Sequence, residues 1–169
     1  MRLDLIEREQ EAIELIKRGM RISVVSRITN FSPKVLRSLS REVHGHSPRS
    51  GQLPSTSRML SKRSMQATAT LFSALYRAQA GSGIFDAIAL DHLLAAHERY
   101  LAFSGGLRLQ GLDIEPIDIT QAWVLARDIR SGVASFRYCH ACHLHYLFTD
   151  DARVPEGCPI CALKRQYAR

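Results

Sequence analysis

Apolar residues recur along much of the chain at three- and four-residue spacing, the period of a helix that buries one face. Leu5, Ile6, Ala12, Ile13 and Ile16 define a first amphipathic helix, and Gly19 stands where it can stop. Ile22, Val25 and Ile28 make a shorter stripe over 21–29, interrupted by Asn30-Phe31. Ser32-Pro33 then opens a third helix. Serine is a preferred N-cap, and proline suits the first helical position because the N–H it lacks would have no helical partner there. Val35, Leu36, Leu39 and Val43 form the apolar face expected to pack. At about 100° per residue, Lys34, Arg37 and Arg41 fall within about 60° of one another on the opposite side.

Beyond Val43 the pattern dissolves into turn formers, and residues 45–65 read as a basic linker or arm carrying Arg49, Arg58, Lys62 and Arg63. Helical periodicity returns over 66–133. Leu71, Phe72, Leu75 and Tyr76 are followed by Ile84, Phe85 and Ile88, then Leu93, Leu94, His97, Tyr100 and Leu101, all expected in the core. Gly81-Ser82-Gly83, Gly105-Gly106 and Pro116 are the expected breaks, and Asp118 offers a cap for a last long helix containing Trp123, a core anchor, and running toward Gly132. His92 and His97 lie five apart, share no helix face, and read as structural or exposed. Over 134–138 and 144–148 the alternation is that of short strands, with turns at Asp150-Asp151 and Pro155-Glu156-Gly157. The fold expected is mainly α. A helix-turn-helix-like segment (1–44) and the linker (45–65) precede a helical body (66–133) and a small C-terminal four-cysteine, zinc-ribbon-like module (134–169).

Charge sharpens the reading of the N-terminal part. Residues 1–14 hold five acids and two basic residues, whereas residues 15–85 hold twelve Lys and Arg against a single acid, Glu42. A block this one-sided attracts polyanions, since each phosphate neutralised releases condensed counterions from a nucleic acid. An ordinary solvated helix mixes signs for i,i+4 pairing, yet residues 15–41 contain no acid. Two short helices around a tight turn, the second capped and basic, match the arrangement in which the second helix enters the major groove of double-stranded DNA. Ser32, Lys34, Arg37, Ser38 and Arg41 would face it, with Arg49 and Arg58 following the backbone.

All four cysteines sit near the C-terminus, as Cys139-His140-Ala141-Cys142 and Cys158-Pro159-Ile160-Cys161. This spacing places two tight knuckles at opposite ends of a short hairpin and supplies the four thiolates that a structural, tetrahedral Zn2+ prefers, one ion per chain. With four thiolates available, His140, His143 and His145 are spare. Two disulfides would need an oxidising compartment, and a redox Cys-x-x-Cys would not need a second copy.

Other classes fit poorly. The longest apolar run, residues 122–126, is far below the roughly 18 residues of a membrane span. The acidic start lacks the positive region and apolar core of a signal peptide, so a cytoplasmic protein is expected. An enzyme should show convergent acids or a nucleophile with its base, but Asp86, Asp91, Glu98, Asp113 and Glu115 are scattered without a motif. A protein-binding zinc-ribbon adaptor is the alternative, although it would not need the basic third helix.

The order of parts resembles the FlhC family, the C subunit of the bacterial flagellar master transcription activator. The resemblance rests on the helix-turn-helix-like segment, the string Gly45-x-x-Pro48-x-x-Gly51-x-Leu53-Pro54, and Ala122-Trp123-x-Leu125 leading through Ser131-Gly132 into the paired cysteines. It covers most of the chain and departs at Arg58-Met59-Leu60-Ser61-Lys62-Arg63, where the family pattern is richer in aromatics. The resemblance implies a DNA-binding subunit with a four-cysteine zinc site. That subunit would act with a smaller helical D-type (FlhD-like) partner and promote recruitment of RNA polymerase at flagellar promoters. Similar C-type activators serve conjugative-transfer genes, which is the alternative regulon.

Overall fold

The structure, a computed structural model, describes residues 2–109, 116–150 and 157–167. Its contacts divide the chain into two compact units, Met1–Leu53 with Asp118–Thr120, and Pro54–Ile117 with Gln121–Arg169.

The first unit is a three-helix cluster of α1 (Arg2–Lys17), α2 (Ile22–Thr29) and α3 (Pro33–His44), each packed against the other two. Gly19, at φ +78°, turns the chain out of α1 as expected. Ala12, Leu15, Ile16, Met20, Val24, Val25 and Leu36 are buried and form its core. The apolar stripes need two corrections. Leu5 and Ile6 are more than two-fifths exposed, and Val35 is 55% exposed, so the buried side of α3 is Leu36 and Ser40, with Leu39 and Val43 half-buried. Periodicity located the face but could not say how far the neighbouring helix reaches across it.

The second unit is built on α5 (Arg63–Ala80), against which α6 (Leu90–Leu109), strand β2 (His145–Phe148) and α8 (Pro159–Tyr167) all pack. A short helix, α4 (Thr56–Met59), precedes α5, and a 3-10 turn (Gly81–Phe85) follows it. Thr56, Met59 and Leu60 are buried, so part of the stretch read as an arm is regular and packed. Thr56 Oγ1 donates to Asp128 Oδ2 at 2.7 Å, tying α4 to α7 (Ile119–Arg130), whose buried Trp123 is the anchor expected. Phe72, Tyr76, His97 and Tyr100 form an aromatic core, in which the His97 ring hydrogen-bonds the Ile117 carbonyl at 2.8 Å. Two further expectations change. Gly105-Gly106 does not break the chain but lies inside α6, and Phe85 and Leu101 are exposed. Among the described residues no helix is long and apolar enough to cross a membrane.

Strand β1 (Ser135–Tyr138) pairs antiparallel with β2 in the register Ser135↔Phe148 to Tyr138↔His145, within a residue of the strands expected. On its other side Leu147 binds α5 through side chains. Its N–H donates to Thr70 Oγ1 at 3.0 Å, and its carbonyl accepts from Gln66 Nε2 at 3.2 Å. Gln66 and Thr70, one helical turn apart, thus bracket a single strand residue. Arg63 adds a hydrogen bond to the Gly157 carbonyl at 2.8 Å, just before the second cysteine pair. The turns read at Asp151 and Pro155-Glu156 lie outside the described residues.

Candidate DNA-facing helix and metal centre

The turn ahead of α3 determines how that helix is presented. Asn30 ends α2 in the left-handed region at φ 59°, which asparagine tolerates, and its N–H donates to the Ser26 carbonyl. Ser26 Oγ donates to the Phe31 carbonyl at 2.7 Å. Ser32 Oγ accepts the Val35 N–H at 3.4 Å, with Pro33 at the first helical position, so the cap read from sequence is formed. Ser32, Lys34, Arg37, Ser38 and Arg41 are all exposed. Lys34, Arg37 and Arg41 make no ion pair among the described residues. The sole carboxylate of α3, Glu42, accepts the Ser38 hydroxyl at 3.5 Å. Three uncompensated cations on one side of a capped helix suit an extended polyanion.

Arg49 belongs to the same unit, on a segment more constrained than an arm. Gly45 at φ +72° ends α3, and Gly51 at φ +113° adopts a backbone that L side chains rarely take. Between them Arg49 is exposed. The Arg21 guanidinium donates from one nitrogen to the carbonyls of Gly51 and Gln52, both at 2.9 Å, and the Arg21 N–H donates to Thr120 Oγ1 at 3.0 Å. Residues 45–53 therefore form a strap tied down by Arg21, a role the sequence reading did not assign to that residue. Arg58 is exposed on α4, in the other unit.

The four cysteines converge. Cys139 and Cys142 lie in the turn joining β1 to β2, closed by hydrogen bonds from Cys139 N–H to the Leu144 carbonyl at 2.9 Å and from His143 N–H to the Cys139 carbonyl at 2.8 Å. His143 takes the left-handed conformation at φ 57°, so this histidine, read as a spare ligand, is a turn residue, and its ring nitrogen hydrogen-bonds the Tyr138 hydroxyl at 2.8 Å. The second pair departs from the hairpin expectation. Cys158 immediately precedes α8 and Cys161 lies in its first turn. The missed signal is Cys158-Pro159, which repeats the cap-then-proline grammar of Ser32-Pro33.

All four Sγ atoms lie within 4.8 Å of one another, with Cys139–Cys161 and Cys142–Cys158 both at 3.7 Å. A tetrahedral thiolate site with bonds of about 2.3 Å has an S–S edge of about 3.8 Å, so the spacing fits a single metal ion. Protonation energetics point the same way. Backbone N–H groups of Cys142 and Ala141 lower Cys139 to about 7, while the Cys142 sulfur and then burial push Cys161 up to about 12, and burial raises Cys158. Four thiols this close do not all ionise without a cation among them.

The description "Flagellar transcriptional activator (FlhC)" belongs to a family model that matches residues 4–169, nearly the whole chain. The chain belongs to the FlhC family. It is 30% identical over 159 residues to the flagellar transcriptional regulator FlhC of Paraburkholderia atlantica, covering 94% of this chain and 69% of that one. Identity to the flagellar transcriptional regulator FlhC of Proteus mirabilis is 27% over 159 residues, covering 94% of this chain and 78% of that one. For that of Gallionella capsiferriformans it is 27% over 151 residues, covering 89% and 80%. The FlhC family is one of transcriptional regulators, not of enzymes. Both the strap and the cysteine cluster fall within the matched FlhC residues.

Proposed function

We propose that this FlhC-family chain is the DNA-binding subunit of a hetero-oligomeric activator of flagellar genes, acting in the cytoplasm. In this reading α3 enters the major groove of promoter DNA, with Ser32, Lys34, Arg37, Ser38 and Arg41 facing it, and Arg49 and Arg58 contact backbone phosphates. Cys139, Cys142, Cys158 and Cys161 hold one structural Zn2+. A D-type helical subunit completes the complex, which recruits RNA polymerase. DNA recognition belongs to residues 1–44 with the strap, and metal binding to 134–169. The observation carrying the reading is the exposed face of α3, where Lys34, Arg37 and Arg41 have no ion-pair partner among the described residues.

The test is a titration of the chain, with its D-type partner, against a flagellar-promoter duplex and a random duplex at several salt concentrations. Tight, salt-dependent preference for the promoter is expected, and simultaneous Lys34→Ala, Arg37→Ala and Arg41→Ala should abolish it. Unchanged binding by this triple variant rules α3 out as the reader. The metal is tested by elemental analysis of reduced protein, with zinc at one per chain expected.

A further inference from the structure

The single acid of the basic block stands at a particular place. Glu42 lies on one lip of an open cleft of about 510 Å³ between α1 and α3, and Glu9 lies on the other. The cleft is apolar inside, lined by Ile13, Phe31, Val35 and Leu39, with the Arg8 guanidinium 6.0 Å from the Phe31 ring centroid. Val35 is 55% exposed and the other three are half-buried, so this side of the three-helix core is left open. Both lip carboxylates are exposed, and neither makes an ion pair among the described residues. An acid on a polyanion-facing helix weakens that function by repulsion. Its position opposite a second acid, across an apolar floor, gives it a different use.

We propose that the α1–α3 cleft is a docking groove for an amphipathic helix of a partner protein, one whose apolar stripe is flanked by Lys or Arg. The lining of the cleft on α3 runs from Val35 to Glu42, about two helical turns, which suits the i, i+4, i+7 apolar face of a docked helix of similar length. The charge follows from the carboxylates that border the cleft: basic flanks pair with Glu9 and Glu42, which outnumber the one cation beside the lining, Arg8 over Phe31, whereas an acidic helix is repelled by both acids. Occupation would also neutralise the only carboxylate beside the cationic face of α3. The test contains no DNA, so its failure and the failure of the DNA reading are distinguishable.

The test uses the full-length chain and two synthetic helical peptides with leucine at i, i+4 and i+7, one flanked by lysines and the other by glutamates. At low ionic strength the lysine peptide should bind at least about tenfold more tightly. Its chemical-shift changes should centre on Ile13, Val35 and Leu39. Val35→Asp should weaken binding at least about tenfold without unfolding α3, since residue 35 lies in the first helical turn, where an acid is favourable. Glu42→Lys should remove the preference for the lysine peptide while leaving the far-ultraviolet spectrum unchanged. Equal binding of both peptides, shifts centred elsewhere, or insensitivity to Val35→Asp overturns the proposal. So does self-association of the chain that Val35→Asp abolishes, because the occupant is then a second copy.

Discussion

Neighbouring cations on α3 can do different work because of where they stand on the helix. In the proposed reading Arg37, near the start of α3, reaches base edges, and a bidentate arginine–guanine contact is worth about 1–3 kcal/mol of discrimination. Arg37→Ala is therefore expected to weaken the promoter duplex by about that amount and to leave random DNA much less affected. Arg41 and Arg49, which the proposed reading places on phosphates, should behave otherwise. Arg41→Ala and Arg49→Ala are each expected to weaken all duplexes alike and to reduce the slope of log K against log salt by about 0.9. Titrations at several salt concentrations on both duplexes separate the two patterns. At the proposed zinc site, Cys161→Ser removes one of the four thiols and places a poor zinc donor in the first turn of α8, so elemental analysis of the variant should find no zinc.

Helix α5 holds the cysteine hairpin through two polar side chains, and the two are not equivalent. Thr70→Val removes the acceptor of a buried strand N–H and should cost about 1–3 kcal/mol. Gln66→Leu strands the Leu147 carbonyl but also removes Gln66 Oε1, which is buried without a hydrogen-bond partner among the described residues. Part of the loss is thereby returned, so Gln66→Leu should destabilise less than Thr70→Val in urea unfolding. No hydrophobic period announces this pair; two polar residues on a helix read as solvent-facing until a strand is laid beside them. The elements that were legible carry their own local chemistry. Ser32-Pro33, Gly19 and the cysteine spacing each state a backbone or ligand requirement that needs no tertiary context. Helix α8 is hidden in the sequence although Cys158-Pro159 uses the same grammar, because the cysteine spacing states only a ligand requirement, whereas in the fold the first-turn N–H groups of Cys161 and Ile160 also favour the Cys158 thiolate. Gly105-Gly106 shows the opposite error: a glycine costs a helix only about 1 kcal/mol relative to alanine, which the length of α6 outweighs.

In the larger unit the hairpin and α8 meet at the cysteines and also pack on α5, so a metal ion held by the four thiolates would close a loop of contacts through the helical body. Chelation under reducing conditions should therefore lower the melting temperature of this unit by more than about 10 °C, rather than loosen the hairpin alone. Hydrogen exchange is the check, with amides over the first half of α5 losing protection together with those of β2. In the smaller unit, Arg21 grips the strap by the carbonyls of Gly51 and Gln52 and by no side chain. A fastening that holds only main chain is indifferent to the letters written between its ends. Ser47, Arg49 and Ser50 can be rewritten without untying it, which makes the strap an interchangeable cassette: new residues grafted there would alter what the unit touches beside α3 while its anchorage stays the same.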